Sequence, residues 1–212
     1  MGAGRRDRWD LRRAATLLLF FALCACRDRW RERVDPERAK ADPEQVALET
    51  AAPIVFEKNG HSVRLQPRAT YRITGYAIDI STALLDKWDF AMPMDVALAW
   101  GPAARPAVLL NTRTHLTARY LSFWYQGPEA ASANLQRHLS NNHLIPSGPA
   151  VEKAMRRIRE GDLVTLRGLL VDVEIRNRTG AVGFRSPTSL SRDDVGSGAC
   201  EQIWVEDVEV ER

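Results

Sequence analysis

The run Leu163-Val164-Thr165-Leu166-Arg167-Gly168-Leu169-Leu170-Val171-Asp172-Val173-Glu174-Ile175 alternates like a strand, but its apolar side changes half-way along. Val164 and Leu166 define one face, and Leu169, Val171, Val173 and Ile175 define the other, so the phase slips at Gly168. A glycine at such a slip marks a bulge or a bend. The last stretch behaves alike, with Ile203 and Val205 in one phase and Val208 and Val210 in the next. Two long strands that bend around such points suit a small, partly closed barrel.

Further strands precede these. Ile54-Val55-Phe56 and Val63-Arg64-Leu65 flank Lys58-Asn59-Gly60-His61, where Asn-Gly is the preferred pair for a tight type I′ hairpin. Residues 71–80 alternate around a register shift expected near Gly75; Val96, Leu98 and Trp100 form another strand, and Val108 to Tyr125 supplies one or two more. Short helices are expected over Pro128 to Leu139 and, more sharply, over Pro149 to Glu160, with Pro149 in the first turn and Gly161 past the end. The expectation is a mainly β (α+β) fold, a bent-strand, partly closed β-barrel or sandwich with one or two short helices. It spans residues 54–212, with a possible division into two subdomains near 127–148.

Ahead of it, arginines at 5, 6, 8, 12 and 13 precede an apolar run from Ala14 to Ala25. As a helix, Ala14 to Cys26 would be roughly 20 Å long, short of a hydrocarbon core of about 30 Å. Residues 1–26 therefore read as an export signal or N-terminal anchor. Leu23-Cys24-Ala25-Cys26 resembles a bacterial lipobox, which would make Cys26 the lipidated residue. Residues 27–53, charged and carrying Pro36 and Pro43, read as a tether. The expected location is the cell envelope, membrane-anchored through the N-terminus, with the globular part on the extracytoplasmic, periplasmic side.

The net charge of +3 comes from the leader: residues 1–40 carry a balance of +5 and residues 41–212 one of −2. A folded part with no basic excess argues against nucleic acid as a partner. His61, His115, His138 and His143 lack metal-ligand spacing and no phosphate-binding glycine loop follows a strand, so no metal and no cofactor are expected.

Two polar segments lie between apolar ones: Ser140-Asn141-Asn142-His143-Leu144-Ile145-Pro146, and Ser189 to Cys200 with glycines at 196 and 198. If these loops meet, Cys200 and His143 form a thiolate-imidazolium pair, with Asn141, Asn142 or Asp194 orienting the ring. The plainer alternative makes Cys200 a small buried hydrophobe and the Asn and Asp residues ordinary turn formers. Trp88, Phe90, Trp100 and Phe123-Trp124-Tyr125 raise a third possibility, an aromatic groove for a peptide or glycan.

The tether segment Asp42 to Gln45, the Asp95 to Trp100 strand, Asn142-His143-Leu144-Ile145-Pro146, Gly161-Asp162 and Gly198-Ala199-Cys200-Glu201 together resemble a group of bacterial envelope proteins with no assigned activity. That resemblance implies an envelope location. The order His143, Gly161-Asp162, Cys200 also resembles the sortases, membrane-anchored cysteine transpeptidases built on a β-barrel. It implies Cys200 as nucleophile, His143 as acid and an arginine at the oxyanion, a part for which Arg192 stands nearest in sequence. The leading expectation is a non-catalytic binding or accessory module of the envelope, acting on an envelope protein, peptide or glycan. The alternative is a sortase-like cysteine transpeptidase or hydrolase.

Overall fold

Gly168 is needed for close approach: a Cβ there would lie 1.9 Å from the carbonyl oxygen of Trp204 on the neighbouring strand, whose bulge lies opposite it. The computed structural model describes residues 29–82, 87–194, 196 and 198–212. Among them are the strands β1 (Glu44–Ala47), β2 (Ile54–Lys58), β3 (His61–Ser81), β4 (Met94–Ala99), β5 (Thr112–Thr117), β6 (Tyr120–Tyr125), β7 (Leu139–Pro146), β8 (Leu163–Arg176), β9 (Val182–Ser186) and β10 (Glu201–Glu211). The short helices are α1 (Pro106–Leu110), α2 (Gly127–Ser132), α3 (Leu135–His138) and α4 (Pro149–Met155).

Five strands close on themselves. β3 pairs antiparallel with β4, β4 with β7, β10 with β8 and β8 with β3, and the parallel pair β7–β10 completes the ring. Closure removes the free edges that an open sheet would expose. β1 and β2 flank β3, β9 flanks β8, and β5 and β6 form a separate hairpin. The bends fall where glycine and bulges permit them: β3 slips between Pro67 and Ala69, and β10 between Val205 and Asp207, on either side of Gly168. The slip expected near Gly75 occurs between Ala77 and Asp79, where β4 joins β3. The Asn59-Gly60 turn is as expected, with both residues at positive φ (52° and 72°).

Apolar side chains collect on the two faces of the ring wall. Ile73, Leu98, Leu144, Leu166 and Ile203 belong to one cluster; Leu65, Met92, Ile145, Val171 and Ile175 belong to the other. Consecutive residues Leu144 and Ile145 thus enter different clusters, so β7 is covered on both sides. That explains the principal difference from the sequence reading. Residues 140–146, expected as a polar loop, form the third strand of the ring, and burial on both faces erases the period-2 pattern that would have announced it. β7 is a strand of the ring, and α2 and α3 pack on its core.

The helices are shorter than expected. Residues 128–139 split into α2 and α3 around Asn134, which has φ of 46°, and α4 stops at Met155 although Ile158 remains buried. Val108 to Leu110 belongs to α1 rather than to a strand.

The segment expected to be a tether is folded onto the body. Arg31 donates from Nη1 to the carbonyls of Leu109 (2.7 Å) and Thr112 (3.0 Å), Trp100 Nε1 donates to Asp42 (3.2 Å), and β1 pairs with β3. Arg31 docks through backbone carbonyls and Asp42 through an indole N–H, interactions that mean hydropathy does not register. The leader and Cys26 lie outside the described residues. Among the described residues no helix is long and apolar enough to cross a membrane.

Candidate active site

β4, β7 and β10 lie side by side, and their registers decide which side chains meet. Asp95 faces His143 across the antiparallel β4–β7 pair, and His143 faces Gln202 across the parallel β7–β10 pair. Directly opposed residues share a face, so Asp95, His143 and Gln202 form a row across three strands. Cys200 precedes Gln202 by two and joins that face just before β10 begins. Gly196 and Gly198, at φ of 82° and 98°, make the turn that delivers it there. His143 and Cys200, expected to meet, line one pocket, close enough for the sulfur to act on the charge of the imidazole.

On its other side the ring lies 2.9 Å from Asp95, Nδ1 to Oδ1, a close ion-pair contact with the N–H turned off the direct line to the oxygen. Asp95 is fully buried and His143 is 5% exposed. Burial alone would push the imidazole towards the neutral form, but Asp95 and Cys200 outweigh it, and its pKa is raised to about 9. His143 is therefore an imidazolium at neutral pH. Asn141, two residues earlier on the same face, donates from Nδ2 to the carbonyl of Arg119 (2.8 Å) and towards Cys200 Sγ (3.6 Å).

Arg119 lies in the turn between β5 and β6, where Ala118 and Arg119 take φ of 46° and 68°. Its guanidinium reaches Asp95 (3.2 Å), Asp89 (2.9 Å) and the carbonyl of Met92 (3.1 Å). The hairpin tip is thus fastened to the acid behind the histidine. Arg119, Tyr120, His143, Phe184, Cys200 and Gln202 line a pocket of about 490 Å³.

The other expected site residues are elsewhere. Asn142 points to the opposite face, donating to Val96 O (3.0 Å) and Ser140 Oγ (2.9 Å), and Asp194 accepts from Ser189 Oγ (2.7 Å). Neither orients the imidazole; strand alternation sends Asn142 away from it, and Asp194 is engaged in its own turn. Arg192 is not at the thiol either, since it pairs with buried Glu201 (2.6 Å) and donates to the Tyr71 hydroxyl (3.3 Å). Burial drives Glu201 up to about 7 against the pull of Arg192, and burial likewise raises the Tyr71 phenol.

Sequence reasoning passed over Asp95 and Arg119. The signal for Asp95 was present: it is the one acid inside Met94-Asp95-Val96-Ala97-Leu98-Ala99-Trp100. Of the residues named for an aromatic groove, Trp124 is 60% exposed and Trp100 is buried. Among the described residues, no three His, Cys, Asp or Glu side chains are arranged to hold a metal ion.

No family model, curated protein or solved structure matches this chain. The functional reading therefore stands on the site itself.

Proposed function

We propose that the protein is a thiol-dependent acyl-transfer enzyme, a hydrolase or transferase that uses Cys200 as nucleophile and works at the cell envelope. The observation that carries this reading is His143, buried between the Cys200 thiol and the Asp95 carboxylate and opening on a pocket with them. A nucleophile beside a base that a third group orients is the general signature of covalent acyl transfer. The leader pattern and the lipobox-like Cys26 support the envelope location and attachment to the membrane through the N-terminus.

The residues divide the work. Asp95 holds the ring by Nδ1, leaving Nε2 to exchange a proton with sulfur and with the substrate. The thiolate adds to a carbonyl carbon, and Asn141 Nδ2 is placed to share the charge that builds on the carbonyl oxygen. As the intermediate collapses, the bond from that carbon to its leaving nitrogen, oxygen or sulfur breaks. His143 hands the departing atom a proton, and the acyl group remains as a thioester on Cys200. Water or an amine then adds to the thioester and gives its proton to His143. The carbon–sulfur bond breaks, restoring the thiolate-imidazolium pair.

The test is the alkylation rate of Cys200 against pH. Cys200 is the only thiol once Cys24 and Cys26, the other two of the three cysteines, are replaced by serine. A rate already high at neutral pH, and lost in His143→Ala, supports the assignment. A thiol that reacts only after unfolding overturns it. A second reading, a non-catalytic binding module, is favoured by the exposure of Trp124; it predicts retention of ligand by a Cys200→Ala variant and no thioester in the wild type.

A further inference from the structure

We infer that the β5–β6 hairpin is the substrate platform of the Cys200 pocket and that its ligand is an extended polypeptide, an inference that rests on the acyl-transfer reading above. In β6, Leu121 and Phe123 pack against the core, whereas Tyr120, Ser122 and Trp124 face out. Across the ladder these three pair with Thr117, His115 and Arg113 of β5, which are exposed as well. Tyr120 and Trp124 are each 60% exposed, an unusual amount of aromatic surface to leave in water unless something covers it. Rings of this kind are favoured in recognition because they offer a large contact area for little lost freedom.

Continuity ties that face to the thiol. Tyr120 lines the same pocket as Cys200 and His143, and its neighbour Arg119 fastens the hairpin tip to Asp95, Asp89 and Met92. A ligand lying along Tyr120, Ser122 and Trp124 is therefore led into the pocket. At about 3.3 Å per residue, Tyr120 and Trp124 stand roughly 13 Å apart, the span of four residues of extended chain.

The chemistry of the site and the form of the platform select the class. Acyl transfer needs a carbonyl carbon with a leaving group, which a polypeptide carries at every residue. An extended peptide turns alternate side chains to one side every ~6.6 Å, the same repeat as the outward residues of β6. β6 pairs with β5 alone among the described residues, so its outer edge can also accept an added strand.

The experiment compares acetylated oligoalanine chloromethyl ketones of one and four residues on the full chain carrying Cys24→Ser and Cys26→Ser. The readout is the second-order rate of Cys200 labelling by mass spectrometry, expressed as the ratio of long to short probe. The expected ratio is about tenfold or more, equivalent to one well-made subsite contact set, and it falls to within about twofold in Tyr120→Ser and in Trp124→Ser. Trp124→Phe, which keeps a ring, is expected to retain most of it. Equal rates for the two probes in the wild type overturn the platform while leaving the Cys200–His143 pair, which the pH profile of Cys200 alkylation reads separately. Protection of Cys200 by chitin oligosaccharides but not by the acetylated tetra-alanine amide overturns the polypeptide in favour of a glycan.

Discussion

Asp95 Oδ1 and His143 Nδ1 face each other at 2.9 Å from opposed positions of two ring strands, with Arg119 Nη1 3.2 Å from the same carboxylate oxygen. The acid behind the imidazole is thus set by strand register. Asp95→Asn keeps the shape and removes the charge. It is expected to lower the midpoint of His143 by one unit or more in an NMR titration, and to slow Cys200 alkylation at neutral pH. An unchanged midpoint would show that Asp95 does not hold the ring charged.

Stability should fall as the solution is made alkaline. The pKa of His143 is raised from 6.5 to about 9 in the fold, so its contribution is complete below about pH 6.5 and disappears as pH rises through 9. Glu201 is raised from 4.5 to about 7, chiefly by burial, so its contribution is complete below about pH 4.5 and is lost as pH rises through 7. Each is on the order of 3 kcal/mol. Urea midpoints at pH 5, 7 and 9 should decline in sequence, with Glu201→Gln flattening the lower interval and His143→Gln the upper. Stability that climbs with pH across this range would contradict both assignments.

Gly168→Ala should cost roughly 3 kcal/mol, at the severe end for added bulk in a packed site, because the new Cβ would collide with a backbone carbonyl that has no rotamer to escape by. Chemical denaturation measures the loss. A near-neutral result would mean that β8 and β10 separate more readily at the bend than the register implies.

Arg31→Ala leaves two buried carbonyls, of Leu109 and Thr112, without their charged donor. A loss of about 2 kcal/mol is expected, together with faster proteolysis within residues 29–42. Proteolysis at the wild-type rate would return this segment to the status of a tether.

What could be read from the sequence was whatever leaves a local trace. Gly168 betrayed its bend through a phase change, Asn59-Gly60 its hairpin through a turn pair, and Gly196 and Gly198 the approach of Cys200 through their freedom at positive φ. The rest depends on who lies next to whom. β7 was illegible because both its faces are covered and its polar side chains are bonded to neighbouring strands, so neither alternation nor hydropathy marked it. His143 and Cys200 could be named but not joined, since only the parallel pairing of β7 with β10 brings them together. Arg119 gave no sign at all, because its role comes from the tip of a separate hairpin that reaches a strand of the main sheet.

The pairing of β7 with β10 also sets an order of events in biosynthesis. Of the five ring strands, β10 leaves the ribosome after the other four, and Cys200 reaches His143 only when that strand docks between β7 and β8. Until then the Cys200 and His143 side chains of a nascent chain are far apart, without a carboxylate between ring strands to organise them. On the proposed function, a chain exported unfolded would have its Cys200–His143 pair assembled only as the last strand of the ring is set in place.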